Sequence, residues 1–260
     1  MKPLITFDFW DTIVLDDSDE PKRQARGLKT KEATRIDLLE QAIHQADPKS
    51  PITRTQLLAT FNATTQAFRE QWLSHQVTWT VRERLGYFLN SLKLTLPEPM
   101  VTALIDTMET MEVEITPELL PGIESALQSL SHNYQLGIIS DTIYSPGRSL
   151  KLILEKANLL SLFTHFHFSD ELGFCKPDQR IFKLAIEKGK VSPQQWVHIG
   201  DREQNDILGP KSCGGKSILT TVCQKKRVLE ALESQGTQAD QVCHAYDQLP
   251  ELIAEVLIKS

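Results

Sequence analysis

An α/β fold, a Rossmann-like parallel sheet core with an inserted all-helical cap, is what this sequence predicts, and three features predict it. Leu4-Ile5-Thr6-Phe7 is a short apolar run, too short for a helix, that delivers Asp8 at its end. A long block with helical periodicity follows it. Beyond Leu120, strand-like and helix-like segments alternate, the pattern of a parallel sheet covered by helices on both faces.

After Ile13 the acidic residues Asp16, Asp17, Asp19 and Glu20 break the strand pattern, and Pro21 suits a first helical turn. Ala33, Ile36, Leu39, Ala42 and Ile43 recur at three- and four-residue steps, as do Val81, Leu85, Phe88 and Leu92. Leu57, Phe61, Phe68 and Trp72 do so more loosely. Breaks fall at Asp47-Pro48, Ser50-Pro51 and Leu96-Pro97-Glu98-Pro99. The helical block is therefore read as residues 16–118, inserted in a core made of 1–15 and 119–260. In that core, Leu120-Pro121-Gly122 opens a helix, and residues 135–139 form a strand ending at Ser140-Asp141-Thr142. A helix over 150–159, a strand near 163–168, the loop Gly173-Phe174-Cys175-Lys176-Pro177-Asp178 and a helix near 181–187 follow. Trp196-Val197-His198-Ile199 is a strand ending at Gly200-Asp201. Strands at 217–222 and 242–246 and a helix near 249–257 complete the set.

A chain of 260 residues accommodates such a core and its insert. A net charge of -6, from 28 basic and 34 acidic residues, argues against a general nucleic-acid or membrane-surface binder. No apolar run approaches the ~20 residues a membrane span needs, and the N-terminus has no secretory pattern. The 4 cysteines form no C-x-x-C pair, so they read as reduced thiols and not as a disulfide framework or zinc site. The expectation is a cytoplasmic protein whose partner is a small molecule.

Three predicted strands end on acidic or hydroxyl residues: Asp8, Ser140-Asp141 and Asp201. Parallel strands share one edge for their C-terminal ends, so these groups should converge there. Lys176 lies in a Gly/Pro-bounded loop suited to fold over that edge. Asp206 follows Asp201 at a spacing that suits one loop-to-helix turn, a sensible holder for Mg2+. A nucleophile-capable Asp, a hydroxyl, a cation and a carboxylate pair are the inventory of phosphoryl transfer. Thr12, Asp141, Thr142 and Arg84 are candidate substrate contacts.

With those residues in order, the sequence resembles the haloacid dehalogenase superfamily: Asp8 to Thr12, Ser140, Lys176, and Gly200-Asp201 through Asp206 match its four motifs. The helical insert resembles that superfamily's C1-type cap. The resemblance implies that Asp8 attacks phosphorus, giving an aspartyl-phosphate that water hydrolyses. It implies that Ser140 hydrogen-bonds the phosphoryl group and that Lys176 offsets charge. It also implies that Asp8, the Trp10 backbone carbonyl, Asp201 and Asp206 hold Mg2+, and that the substrate is a small phosphorylated metabolite.

One position departs from the pattern. Phosphatases of this superfamily usually carry a second Asp two residues after the nucleophile, and here that place holds Trp10, with Asp11 next. An indole has one N–H donor and cannot shuttle a proton, and losing a general acid typically costs about 10²- to 10⁴-fold in rate. Asp11 swinging in, a substrate with a good leaving group, and weak activity are all open readings. So is carbon–halogen hydrolysis, because 2-haloacid dehalogenases also have an aromatic residue there. A catalytically weak regulator that binds a phospho-ligand or a protein is the alternative outside enzymology. The metal-type Asp201–Asp206 pattern favours the phosphatase.

The basic run Lys22, Arg23, Arg26, Lys29, Lys31, Arg35 reads as a solvated helix face, with contact to an anionic substrate as the alternative. His198 reads as a hydrogen-bonded core histidine.

Overall fold

Strand β1 (Leu4–Phe7) is buried at every position and lies inside a six-stranded sheet. The computed structural model describes residues 2–258. From β1 the chain enters a short strand β2 (Val14–Leu15) and then α1 (Asp19–Ala25), α2 (Lys31–Ala46), α3 (Arg54–His75), α4 (Val81–Ser91) and α5 (Glu98–Glu114). Strand β3 (Glu118–Leu119) brings it back, followed by α6 (Ile123–Ser131), β4 (Gln135–Ser140), α7 (Gly147–Lys156), β5 (His165–Phe168), α8 (Ser169–Leu172) and α9 (Gln179–Gly189). Strand β6 (Trp196–Gly200) leads through a wide π-type turn (Glu203–Leu208) and α10 (Gly209–Lys211) to β7 (Lys216–Thr220). The chain closes with α11 (Lys226–Gln235), β8 (Gln241–Cys243) and α12 (Leu249–Ile258).

The sheet order is β5-β4-β1-β6-β7-β8 with every pairing parallel. Helices cover both faces, so the central strands read as continuous apolar runs and not as alternating ones. β1 pairs with β4 on one side and β6 on the other, so the direction of winding reverses at β1. Open α/β sheets take ligands beside the carboxyl ends of strands at such a switch point. Asp8 stands there, its N–H donating to the Ile199 carbonyl at 2.8 Å.

Helices α2 to α5 bury a core of their own, with Ile36, Leu39, Leu57, Phe88 and Met108 among its members, apart from the core around the sheet. Thr53 and Thr80 start α3 and α4 in reciprocal capping boxes with Gln56 and Glu83, which satisfy the first backbone donors of each helix. The antiparallel ribbon β2–β3, with Val14 opposite Leu119 and Leu15 opposite Glu118, carries the chain out to these helices and back. A second link joins the helices to the sheet side. The Cys175 N–H donates to the Gln76 carbonyl at 3.0 Å, and the Thr78 N–H donates to Gly173 at 3.4 Å.

The structure revises several sequence expectations. The basic run is split between α1 and α2 by the turn near Gly27, and Arg23, Lys31 and Arg35 are buried, not solvated. Periodicity identifies the polar face of a helix but not what it meets, and here it meets acidic groups and a cavity. The last strand ends at Cys243 because the chain turns there to send Tyr246 into the core. Helix α11, which the sequence reading did not place, buries Val228 alone. No helix among the described residues is long and apolar enough to cross a membrane.

Phe7 is fully buried and meets the Phe163 ring edge-on at 6.4 Å. Phe7→Ala is expected to cost about 3–5 kcal/mol in denaturant unfolding. A loss near zero would mean that β1 is not the centre of the core.

Candidate active site

Asp8 leaves the end of β1 at the floor of a cavity of about 210 Å³. The sheet side of the cavity is lined by Asp8, Asp141, Lys176, Arg202 and Asn205, and the helical side by Lys31, Arg35, Trp72 and Glu112. Lys176 extends from the β5–α9 connection and is almost fully buried. Its ammonium lies 2.8 Å from Asp8 and 2.6 Å from Asp206. Burial alone would lower the Lys176 pKa, but the Asp206 and Asp8 carboxylates outweigh it and hold the amine charged.

Asp206 sits on the wide turn after β6 and folds back onto the strand. Its Oδ1 accepts from Lys176 and lies 3.2 Å from the His198 ring, and its Oδ2 accepts from the Arg202 N–H at 3.0 Å. Burial would raise its pKa, but Lys176 and His198 overcome that and keep the carboxyl well below its ordinary range. His198 is a buried core histidine whose other ring nitrogen lies 2.9 Å from Thr6 Oγ1. Gly200 makes the fold-back possible, because a Cβ there would lie 2.3 Å from Asp206 Cγ.

Asp8, Asp201 and Asp206 each offer a carboxylate oxygen within 4.8 Å of the others. Burial raises the Asp8 pKa, Lys176 opposes it and Asp206 adds to it. Burial raises Asp201 to about 7, with Asp206 and Asp8 adding to the rise and Arg227 opposing it. Arg227 holds Asp201 Oδ2 at 2.7 Å, while the buried Oδ1 has no hydrogen-bond partner. Three clustered carboxylates, one with an orphaned oxygen, form an all-oxygen donor set that a hard divalent cation fits. Trp10 lines the cavity beside it and packs edge-on against Phe9 at 5.0 Å.

The remaining predicted residues are placed differently. Asp11 does not line the cavity: its backbone is left-handed (φ 55°), and Lys225 at 3.0 Å and Arg227 at 2.7 Å hold its carboxylate. Of the open readings for the missing proton donor, the one in which Asp11 swings in requires it to leave these partners, since both its oxygens are engaged. Ser140 ends β4 fully buried, its hydroxyl donating to the Asp141 carbonyl at 3.3 Å. Asp141 reaches the cavity with Oδ1 accepting from the Lys176 N–H at 2.9 Å and Oδ2 from Asn205 at 3.1 Å, and burial raises it to about 6. Thr142 turns instead to Asp170, at 2.7 Å. Thr12 is buried with its hydroxyl unpartnered and its carbonyl bonded by the Tyr246 hydroxyl at 2.5 Å. Arg84 lies behind Tyr144, hydrogen-bonded to its hydroxyl at 2.9 Å, and does not line the cavity.

Sequence reasoning missed Asp16, Arg202 and Asn205, all on the cavity wall. Arg202 was marked by its place directly after the strand-ending Asp201. Asp16 belonged to an acidic run that read as a mere strand breaker. Burial raises Asp16 to about 6, with Asp17 adding, Lys225 opposing, and Asp11 and Glu112 adding.

The parallel sheet thus carries a carboxylate, a buried ammonium and an acidic cluster able to hold a metal ion at its switch point. Residues 29–220 match the haloacid dehalogenase-like hydrolase family, and the chain belongs to it. The match begins after β1, so the placing of Asp8 rests on the geometry. A stretch of 100 residues is 35% identical to a glyceraldehyde 3-phosphate phosphatase of Pyrococcus furiosus, covering 38% of this chain and 40% of that one. The match thus spans less than half of that relative's length. A 2-haloacid dehalogenase from Pseudomonas syringae superposes with a TM-score of 0.65 at 21% identity, over 98% of this chain and 99% of that one. A phosphatase of the same family from Thermococcus onnurineus does so with 0.61 at 20%, over 97% and 98%. These two share the fold with the chain.

Gly200→Ala is expected to push Asp206 off β6 and free Lys176. The thermal midpoint should fall, and any stabilisation by Mg2+ should shrink with it. A variant that matches the wild type in both would show that the close approach does not hold the cluster.

Proposed function

We propose that this chain is a Mg2+-dependent phosphatase that hydrolyses a small phosphorylated metabolite through an aspartyl-phosphate on Asp8. The observation that carries the reading is the Asp8 carboxylate held 2.8 Å from a buried Lys176 ammonium, beside the carboxylates of Asp201 and Asp206. Mg2+ held by Asp8, Asp201, Asp206 and the Trp10 carbonyl would supply a Lewis acid for the phosphoryl oxygens. The named phosphatase relative supports this class of reaction.

Lys176 orients the nucleophile and offsets charge on the attacking oxygen and the phosphoryl group. An Asp8 oxygen bonds to phosphorus as the ester P–O bond breaks, and the departing oxygen needs a proton. With Trp10 unable to give one and Asp11 tied to Lys225 and Arg227, we assign that proton to Asp16. Its carboxyl lines the cavity and has a pKa of about 6, and the charged groups facing it are Asp17, Lys225, Asp11 and Glu112. In the second half, water gives its proton to the Asp16 carboxylate and attacks phosphorus. The P–O bond to Asp8 then breaks and phosphate leaves. Arg202 on the cavity wall adds positive charge near Asp8.

Trp10 supports a second reading, carbon–halogen hydrolysis, in which the departing halide needs no proton. Metal-independent halide release from 2-chloropropionate is its signature.

Asp8→Asn, and separately EDTA, are expected to abolish phosphate release from a panel of small phosphomonoesters. Full turnover by the variant would remove the covalent route. Asp16→Asn is expected to lower kcat on alkyl phosphates by about 10²- to 10⁴-fold and to spare p-nitrophenyl phosphate, whose leaving group needs little protonation. Because Asp16 must carry its proton in the first step, wild-type kcat on alkyl phosphates should fall as pH rises through about 6. An unchanged profile in the variant would take the proton away from Asp16.

A further inference from the structure

We propose that the substrate carries a carboxylate at the end away from its phosphoryl group, and that Arg35 receives it. This rests on the phosphatase reading and narrows it to phosphorylated carboxylic acids of a few carbons. Arg35 lies on α2, four residues after Lys31, and both side chains line the cavity that Asp8 enters. Their partners differ completely. The Lys31 ammonium is saturated by Asp19 at 2.7 Å, Glu112 at 2.5 Å and Asp17 at 3.1 Å. Arg35 is 7% exposed, yet its guanidinium makes no hydrogen bond or ion pair with any described residue, and its Nε is a buried donor without an acceptor.

The acidic groups nearest Arg35 are already engaged. Glu112 gives one oxygen to Lys31 and the other to the Ser145 hydroxyl, and Glu20 accepts from the Lys31 N–H at 2.9 Å. What holds Arg35 is stacking: its guanidinium lies 3.6 Å from the centroid of the Tyr144 ring. Arg84 also stacks on that ring, at 4.0 Å, and fixes the phenol with a hydrogen bond. Stacking orients the guanidinium plane and leaves its edge donors unused. A buried cation with idle donors is costly unless an anion completes it, and here the open side is the reaction cavity.

Charge and size identify the anion. Among the described residues Arg35 is the one basic group of the helical wall without a hydrogen bond or ion pair, and Glu112, Asp16 and Asp17 line the same cavity. One guanidinium balances one negative charge, so a planar monoanion that pairs with its fork fits better than a second dianionic phosphate. A cavity of about 210 Å³ leaves room for only a short carbon chain between the two groups, well below the roughly 300–1,000 Å³ of drug-sized sites.

The test compares 3-phosphoglycerate, glycerol 3-phosphate and glycerol 1,3-bisphosphate as substrates of wild type, Arg35→Gln and Arg35→Lys with Mg2+. Wild type should prefer the carboxylate ester over glycerol 3-phosphate by about tenfold or more in kcat/KM. In Arg35→Gln that ratio should fall about 10- to 150-fold, the worth of a charge-assisted hydrogen bond, chiefly through KM. Arg35→Lys should keep part of it. Calorimetric binding of the same esters to Asp8→Asn should show the same order without turnover. A wild-type preference below threefold overturns the proposal even where Arg35→Gln does not fold. So does equal loss on both monoesters in that variant, the mark of a merely structural role. Preference for the bisphosphate, lost in Arg35→Gln, overturns the carboxylate in favour of a second phosphate. If wild type hydrolyses none of the three and Asp8→Asn still binds 3-phosphoglycerate over glycerol 3-phosphate, the phosphatase reading fails and the carboxylate site stands.

Discussion

One buried ammonium between two carboxylates sets the terms for the rest of this molecule. Lys176 touches Asp8 and Asp206 at once, with all three side chains almost wholly removed from solvent. Removing one partner from such an arrangement strands a charge at low dielectric, typically at about 3–5 kcal/mol. The 173–178 loop is therefore fixed to the carboxyl edge of the sheet. The connector between α3 and α4 is hydrogen-bonded to that same loop at Gly173 and Cys175. The helical wall of the cavity is thus referenced to Asp8 through two short steps, and the β2–β3 ribbon supplies a second tether.

The acidic groups near Asp8 are kept distinct by their partners. Asp206 is ionised by Lys176 and His198, Asp201 is pushed up by burial and its acidic neighbours, and Asp11 is drawn aside by Lys225 and Arg227. Arg227 touches both Asp11 and Asp201, so a residue from the periphery of the fold helps to hold the strand-end cluster. These partners keep Asp8 and Asp16 on the cavity wall in surroundings different from those of Asp201 and Asp206 behind it.

The central features were legible because they depend on strand ends. Short apolar runs that stop at Asp8, Ser140 and Asp201 and alternate with helical segments predict parallel strands, and parallel strands bring their carboxyl ends to one edge. What escaped the sequence depends on direction instead of spacing. Nothing in Trp10-Asp11 announces a left-handed backbone at Asp11, yet that φ turns its carboxylate from the cavity to Lys225 and Arg227. Arg35 and Lys31 looked like solvent-facing charges because their burial depends on Glu112 and Tyr144, far along the chain. The wide turn that aims Asp206 back at β6 has no signature beyond the small residue, Gly200, that it packs against.

The account turns on whether Asp8 takes the phosphoryl group. Rapid acid quench during turnover of a phosphomonoester, followed by mass spectrometry of the peptide bearing Asp8, measures this directly. A phosphoryl adduct on Asp8 that appears within the first turnover and decays as phosphate is released is the predicted result. Phosphate release at the same rate with the Asp8 peptide unmodified throughout would contradict it.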